Sequence, residues 1–171
     1  MSAQETIWYD ELPTPIGRLR LVADTQGLRE VWFDGGRHQK APDPHWTRDV
    51  GRLAFARVQL EEYFAGTRQA FALPLHPIGT PFQLAVWQEL ARIPYGTTTS
   101  YGAVAQRIGQ PQAVRAVGAA NGRNPLPIVL PCHRVIGADG SLTGFGGGLP
   151  TKRFLLAMEQ RVAHGDLFAM P

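Results

Sequence analysis

The chain contains a single cysteine, Cys132, so its fold cannot depend on an intrachain disulfide. Its 171 residues, of which 44% are hydrophobic, are enough to bury an apolar core in one or two small domains. Cys132 lies in the segment Pro-Cys-His-Arg-Val, residues 131–135. A neighbouring histidine and a neighbouring cation favour ionisation of a thiol, and the thiolate is the nucleophilic form. The sequence therefore offers Cys132 as a catalytic nucleophile, with a small buried hydrophobic residue as the alternative.

The N-terminal residues lack the features of a secretory signal, since they have neither a basic start nor an apolar segment. No apolar run in the sequence approaches the ~20 residues that a membrane-spanning helix needs. These patterns predict a soluble cytoplasmic protein with no membrane partner, in which the thiol stays reduced.

Positive charge is concentrated in the second half of the sequence. Residues 76–171 hold 8 Lys and Arg against 4 Asp and Glu, although the net charge of the whole chain is only +3. No acidic residue occurs between Glu89 and Asp139, and this stretch contains Arg92, Arg107, Arg115, Arg123 and Arg134. Such a segment suits a polyanion such as nucleic acid, and a solvated basic face is the alternative.

The first part of the chain is predicted to contain a small β-sheet. Strands are predicted at three apolar runs, residues 7–9, 19–23 and 28–33. The second and third of these are expected to pair as a hairpin around Gly27. Residues 34–45 are rich in Gly, Pro, His and Asp and are predicted to form a loop, and residues 71–75 are predicted to form a further strand.

A helix is predicted over residues 47–65, with Gly66 as its stop signal. Its apolar face is expected to comprise Val50, Leu53, Ala54, Val58, Leu60 and Phe64. Pro74, Pro77 and Gly79 then mark a boundary. We therefore predict two domains, residues 1–76 and residues 77–171.

The second part is predicted to be mostly helical, with helices at residues 81–93, 101–108 and 112–121. Ser100 or Thr99 can cap the second of them. A tight turn at residues 109–111 joins the second helix to the third, which is typical of a helix-turn-helix and also of any helical bundle. The predicted fold class is α+β: a small N-terminal sheet with a helix, followed by a mostly helical C-terminal domain with a helix-turn-helix.

The third helix of this part consists almost entirely of small residues around Arg115. A helix that reads bases in the major groove usually carries several long polar side chains, and this helix has almost none. Small side chains permit a close approach to a narrow groove, with Arg115 as the projecting group. Tight packing of the helix against another helix is the alternative explanation.

Residues from about 80 to 160 resemble the catalytic domain of the O6-alkylguanine-DNA alkyltransferases, also called methylated-DNA--protein-cysteine methyltransferases. The resemblance is carried by Arg115-Ala-Val-Gly, Asn124-Pro-Leu-Pro-Ile-Val-Leu-Pro-Cys-His-Arg-Val135, Gly144-Phe-Gly-Gly-Gly148, Lys152 and Glu159. The N-terminal part resembles the variable domain of that family more loosely.

The resemblance implies DNA repair without a cofactor. Its members bind duplex DNA containing O6-alkylguanine through a helix-turn-helix in the minor groove and flip the damaged base out of the stack. The alkyl group then passes irreversibly to the cysteine, here Cys132. The protein is expected to be a monomer in solution, with cooperative binding on DNA left open. The implied DNA-binding residues are Arg115 as the intercalating finger, Tyr101, Ala116, Gly118, Ala119 and Arg123.

The resemblance also implies a catalytic group formed by Cys132, His133, Glu159 and Asn124. His133 suits the removal of the thiol proton through a bridging water, because its ordinary pKa lies near neutrality. The helix neighbours of Glu159 are apolar, so its side chain is expected to be buried with a partner. His133 is the candidate partner, and a structural glutamate bonded to the backbone is the alternative. Asn124 is expected to brace the cysteine loop, with a plain Asx-turn as the alternative. The implied substrate pocket comprises Tyr101, Val135, Phe145, Gly146 and Gly147.

Two departures from the family pattern affect these expectations. The family commonly has tyrosine where this chain has Phe145, which cannot donate a hydrogen bond to the guanine. Some members bind a structural zinc in the N-terminal domain through two cysteines. Residues 1–75 contain no cysteine, and His38 and His45 alone make a poor zinc site, so no metal is predicted.

Three other functions remain compatible with parts of the pattern. A non-catalytic binder of alkylated DNA would not need Cys132. A helix-turn-helix regulator would read the sequence of undamaged DNA and would not need a thiol. A thiol hydrolase would turn over many substrate molecules on each copy of the protein.

Overall fold

The computed structural model describes residues 5–35 and 41–165 of the chain. The chain divides into an N-terminal unit, Met1–Ile78, and a C-terminal unit, Gly79–Pro171. In the part of the chain that the structure describes, the first unit carries a sheet and one helix, and the second is mostly helical. The predicted α+β fold class is confirmed at this level.

Four strands form the sheet of the N-terminal unit in the order β3-β2-β1-β4: β1 Trp8–Thr14, β2 Gly17–Ala23, β3 Leu28–Phe33 and β4 Thr47–Arg48. The predicted hairpin of β2 and β3 is confirmed, because these strands pair in antiparallel register. Strand β1 is longer than predicted and includes Pro13, a residue that disfavours central strands. Pro13 is tolerated because β4 pairs only with Trp8 and Tyr9, so the far end of β1 lies at the sheet edge.

Helix α1, Val50–Phe64, begins three residues later than predicted. Thr47 and Arg48 pair with β1 instead, and the side chain of Asp49 caps the helix by accepting a hydrogen bond from the Arg52 N–H. The helix ends at Phe64, one residue before its predicted end, and Gly66 follows in the left-handed conformation with φ 78°, as expected of a stop signal.

The predicted apolar face of α1 is wrong in part. Val50 and Val58 are 58% and 53% exposed. The residues of α1 that are buried are spaced by three or four positions: Leu53, Ala56, Leu60 and Tyr63. The prediction failed because it omitted Ala56 and the amphipathic Tyr63, which lie on the face that packs against the sheet.

Residues 71–75 do not form the predicted strand. Leu75 makes one isolated parallel bridge to Leu28. The backbone N–H and C=O of Ala72 are instead bound by the side-chain amide of Gln59, at 2.9 and 3.1 Å. Since that amide satisfies the backbone of Ala72, no ladder to a neighbouring strand is needed.

Over residues 79–165, the C-terminal unit contains four α-helices and one short parallel strand pair: α2 Pro81–Leu90, β5 Thr99–Ser100, α3 Tyr101–Arg107, α4 Val114–Gly122, β6 Val135–Ile136 and α5 Leu149–Ala163. Helices α2, α3 and α4 pack on one another. The indole N–H of Trp87 donates to the carbonyl of Ala120 at 2.9 Å and fixes α2 against α4. The predicted cap of α3 is confirmed, since the Ser100 hydroxyl accepts from the Ala103 N–H.

Pairing of β5 with β6 has no counterpart in the sequence analysis. It places the start of α3 beside the segment that follows Cys132. Among the described helices, none combines the length and the hydropathy that crossing a bilayer requires.

Candidate active site

Cys132 begins a 3₁₀ turn, Cys132–Arg134, and its side chain is buried. Asn124 holds the segment that leads into this turn. Its amide N–H donates to the carbonyl of Leu130 at 2.7 Å, and its carbonyl oxygen accepts from the N–H of Leu126 at 2.9 Å. The second bond is the Asx-turn, and the first is the predicted brace of the cysteine loop, so the side chain makes both.

The cysteine loop is also strained at Ile128. This buried β-branched residue has φ 76°, in the left-handed region that L-residues with branched side chains rarely occupy. Such a conformation persists only when its surroundings hold it, which identifies the loop as a tightly constrained part of the fold.

The environment of Cys132 does not favour ionisation of the resting thiol, contrary to the prediction from its neighbours. Burial raises the pKa of Cys132 to about 11, although a hydrogen bond involving Asn124 and the charge of Lys152 act in the opposite direction. The thiol is therefore protonated at neutral pH, and nucleophilic attack requires a group that removes its proton.

His133 and Glu159 meet in the protein interior. The Nε2 atom of His133 lies 2.6 Å from Oε2 of Glu159, and both side chains are buried. The prediction that Glu159 is buried with His133 as a partner is confirmed. Because a carboxylate only accepts hydrogen bonds, Nε2 carries the proton and Nδ1 is left as an acceptor.

The Nδ1 atom of His133 is buried and, among the described residues, has no hydrogen-bond partner. Burial lowers the pKa of His133, although the hydrogen bond and the charge of Glu159 raise it. The imidazole is therefore neutral at neutral pH and carries an unused lone pair one residue from Cys132. This is the protonation state that a general base needs.

Arg134 is a member of this group that the sequence analysis assigned wrongly. It was counted among the cations that suit a polyanion, yet its side chain is buried. Its Nε and Nη2 atoms donate to Oε1 and Oε2 of Glu159 at 2.8 and 3.0 Å, and Nη1 donates to the carbonyl of Ile93 at 2.7 Å. Arg134 therefore belongs to the interior ion-pair network and not to the exposed basic surface.

These bonds keep Glu159 ionised in the interior. Burial raises the pKa of Glu159, but hydrogen bonds from His133 and Arg134 outweigh it and lower the pKa to about 2. The same carboxylate also affects Tyr95. Burial and the charge of Glu159 together raise the pKa of Tyr95 to about 12.

Lys152 connects the segment after Cys132 to the glycine-rich loop. Its fully buried ammonium donates to the carbonyl of Val135 at 2.7 Å and to that of Thr143 at 3.4 Å. The Thr143 hydroxyl in turn is hydrogen-bonded to the hydroxyl of Tyr101. The structure thus links Tyr101 and Val135, two of the predicted pocket residues, through Lys152 and Thr143.

The other predicted pocket residues lie in the loop directly after Thr143. Phe145 is buried, while Gly146 and Gly147 are partly exposed. The carbonyl of Phe145 accepts from the N–H of Gly148, which has φ 90° and precedes α5. Only glycine adopts that backbone angle readily, so the loop is shaped by its sequence at this point.

The predicted DNA-binding residues of α4 lie at its surface. Arg115, Ala116, Ala119 and, just after the helix, Arg123 are exposed. Gly118 is partly buried near the ring of Tyr101, because a Cβ atom added there would lie 3.9 Å from Tyr101 Cδ1. The packed side of α4 consists of Val117, Ala120 and Asn121. Tight packing therefore explains only some of the small residues, since Ala116 and Ala119 do not face the core.

Among the described residues, one group has the donor spacing of a metal site. Ligand atoms of Glu5, Asp24 and His76 lie within 4.8 Å of one another. The guanidinium of Arg29 lies 2.8 Å from Glu5 and 3.6 Å from Asp24, so a cation of the protein already occupies the space between these carboxylates. The donor set therefore does not fit a metal ion. Of the two histidines considered from the sequence, His45 is exposed and His38 lies outside the described residues.

Comparison with known families and proteins gives a consistent result. The family model "6-O-methylguanine DNA methyltransferase, DNA binding domain" matches residues 81–161, and the "ribonuclease-like domain" model of the same family matches residues 7–77. A methylated-DNA--protein-cysteine methyltransferase of Haemophilus influenzae is 46% identical over 90% of this chain and 87% of its own. One from Mycobacterium tuberculosis is 47% identical over 94% and 97%.

The structural comparison agrees with the sequence comparison. The crystal structure of Mycobacterium tuberculosis OGT in complex with DNA covers 91% of this chain and 94% of its own, with 46% identity and a TM-score of 0.84. The matched residues include the segment 131–135 and both units of the fold. The chain therefore belongs to the methylated-DNA--protein-cysteine methyltransferase family.

Proposed function

We propose that the chain repairs DNA by direct, irreversible transfer of an alkyl group from O6-alkylguanine in duplex DNA to Cys132. The observation that carries this proposal is the buried pair of His133 and Glu159, which leaves the Nδ1 atom of a neutral imidazole without a hydrogen-bond partner among the described residues, one position along the chain from the protonated thiol of Cys132. Methylated-DNA--protein-cysteine methyltransferases that are 46–47% identical to this chain support the same reaction.

The reaction is a displacement at the alkyl carbon. His133 accepts the thiol proton through a bridging water, and Glu159 stabilises the imidazolium that forms. The thiolate of Cys132 forms the new S–C bond while the bond from carbon to guanine O6 breaks. The electron pair of that bond leaves with the guanine, which takes up a proton and becomes the normal base. The product thioether is inert, so each copy of the protein reacts once.

DNA binding is assigned to α3 and α4 as a helix-turn-helix placed in the minor groove. The exposed Ala116 and Ala119 permit a close approach to a narrow groove, and Arg115 projects from the same helix. Guanine O6 cannot be reached by a thiolate inside the stack, so the damaged base is flipped into the pocket. The planar guanidinium of Arg115 is suited to fill the vacated space.

One assay tests this function. Duplex DNA with a labelled methyl group on guanine O6 is mixed with the protein, and the label is followed. We expect one label on Cys132 for each protein molecule and none released. DNA binding without transfer would identify a non-catalytic binder, release of many labels for each protein would identify a hydrolase, and tight binding to specific undamaged sequences would identify a regulator.

We expect Arg115→Ala to slow repair of duplex DNA more than reaction with free O6-alkylguanine. The finger stabilises an extruded nucleotide, and a free base needs no extrusion. Single-turnover rates on both substrates measure the difference. Arg153→Ala, on α5, is a control that removes one arginine elsewhere in the unit. Equal losses on duplex and free base would instead assign Arg115 to the pocket or to folding.

We expect Phe145→Tyr to speed alkyl transfer. A hydrogen bond gained at the departing guanine is worth about 0.5–1.5 kcal/mol, which corresponds to an increase of a few-fold to about tenfold. Nonspecific DNA affinity should be nearly unchanged, because residue 145 lies in the glycine-rich loop and not on α4. The measurement is the single-turnover rate at saturating protein. An unchanged or slower rate would mean that another donor, such as a backbone N–H of Gly146 or Gly147, already serves the leaving group.

A further inference from the structure

We propose that Arg134 is a positioning residue for the transfer reaction, which holds the Glu159 carboxylate so that His133 keeps Nε2 protonated and Nδ1 available. This inference depends on the proposed function for its reaction, but its structural part concerns the resting protein. Arg134 lies two positions after the nucleophile Cys132, and we assign it a role in the reaction in addition to any role in folding.

The carboxylate of Glu159 is held from several directions. Its Oε1 atom accepts from Arg134 Nε at 2.8 Å and from the Gly96 N–H at 3.2 Å. Its Oε2 atom accepts from Arg134 Nη2 at 3.0 Å and from His133 Nε2 at 2.6 Å. Arg134 is the one of these donors that binds both oxygens, so it fixes the rotation of the carboxylate about its terminal bond.

The guanidinium is itself anchored at its remaining donors. Nη1 donates to the carbonyl of Ile93 at 2.7 Å, and the guanidinium carbon lies 5.4 Å from the centre of the Tyr95 ring. A planar fork with donors on both sides is needed to bridge a carboxylate and a carbonyl in this way. A lysine would keep the positive charge but could not reproduce this bidentate geometry.

The position of the charge also matters for His133. Glu159 alone would favour a protonated imidazole, which has no free lone pair to accept the thiol proton. The cation of Arg134 on the same carboxylate opposes that effect, as does the buried Lys152. Among the described residues, Tyr95 interacts electrostatically with Glu159, Arg134 and Arg161, and Cys132 interacts with Lys152.

The competing explanation is that Arg134 only neutralises a buried carboxylate for the sake of folding. The two explanations differ in what they predict at His133. A positioning residue sets the tautomer of His133 and the pH at which its lone pair is lost. A residue needed only for folding changes the amount of folded protein and leaves both properties unchanged in the molecules that fold.

The experiment compares Arg134→Gln with Arg134→Lys in the full chain. Arg57→Gln is the matched control, since Arg57 binds the buried Asp10 carboxylate at 3.1 Å in the N-terminal unit, which contains none of the residues assigned to the reaction. Single-turnover transfer from O6-methylguanine in duplex DNA is measured across pH, with rates corrected for the fraction of folded protein. Long-range proton–nitrogen NMR spectra identify the protonated ring nitrogen of His133.

For Arg134→Gln we expect the transfer rate to fall by about tenfold to a hundredfold, which is the loss that follows when a metal-bound histidine loses an outer partner that orients it. The acid limb of the pH profile should move to higher pH, because the loss of a nearby cation raises the pKa of His133. Arg134→Lys should keep the acid limb near its original position and recover only part of the rate. Arg57→Gln should change neither.

The NMR measurement keeps the inference testable if transfer fails for another reason. We expect the Nε2-protonated form of His133 in the unaltered protein and a mixture of tautomers in Arg134→Gln. If both variants keep the original tautomer and acid limb, Arg134 serves folding only, and the inference is wrong. If Arg134→Gln does not fold, the transfer rate of Arg134→Lys decides: partial recovery supports the inference, and full recovery would contradict the need for the fork. A lack of transfer by the unaltered protein would overturn the proposed function. The NMR measurement of the His133 tautomer would then still decide whether Arg134 positions this group.

Discussion

Replacing Cys132 by serine is expected to abolish alkyl transfer and to leave binding to duplex DNA within a few-fold of the original affinity. A serine hydroxyl is a much weaker nucleophile than a thiol, and His133 cannot deprotonate it to a useful extent. No second cysteine exists to accept the alkyl group. Binding should persist because the buried Cys132 is not part of the exposed surface of α4. Intact-mass spectrometry after incubation with O6-methylguanine DNA measures the transfer.

A change from sulfur to oxygen at a buried site can also alter packing. Cys132→Ala is the matched control, because it removes the nucleophile without adding a buried hydroxyl that needs a partner. Both variants should have a DNA affinity and an unfolding midpoint close to those of the unaltered protein, and the two variants should resemble each other in both measurements. Label on the Cys132→Ser protein would mean that another residue is the acceptor and would reject the proposed chemistry.

The sequence predicts those parts of the fold that depend on local chemistry. The β2–β3 hairpin, the Ser100 cap and the stop at Gly66 each follow from a few neighbouring residues. Features that depend on a distant partner were missed. The β5–β6 pair joins residues far apart in the chain, and the side chain of Gln59 replaces a strand partner at Ala72.

In the candidate site too, features set by neighbouring residues could be predicted and features set by distant partners could not. Burial of Glu159 could be predicted because the residues three and four positions away on its helix are apolar. The residues at the same spacing from Lys152 are also apolar, so its burial could have been predicted in the same way: Gly148, Leu149, Leu155 and Leu156. Arg134 offered no such signal. It lies in a short 3₁₀ turn with no helical face, and its carboxylate partner is 25 positions away. Charge counting alone placed it at the surface.

Replacing Glu159 by glutamine is expected to slow transfer by up to about ten-thousandfold, the loss that follows when an acid that orients a catalytic histidine becomes an amide. An amide can donate to His133 Nε2, which favours the tautomer with the proton on Nδ1 and removes the acceptor for the thiol proton. Single-turnover rates give the loss, and NMR of the His133 ring gives the tautomer. Glu89→Gln is the control, since Glu89 is buried in the same unit and pairs with Arg92 at 3.5 Å.

The same change should lower the free energy of unfolding at pH 7 by about 3 kcal/mol, because it leaves the buried Arg134 without its anionic partner. This difference has a defined pH dependence. The pKa of Glu159 is about 2 in the folded protein against an ordinary 4.5, so its contribution is complete above about pH 4.5 and is lost as the pH falls toward 2. Urea unfolding of both proteins at pH 7 and pH 3 should therefore show a smaller difference at pH 3. If the difference in unfolding free energy is the same at both pH values, the ionised carboxylate of Glu159 does not stabilise the fold. If the glutamine variant is stable and transfers the alkyl group at an unchanged rate, Glu159 has no part in the mechanism.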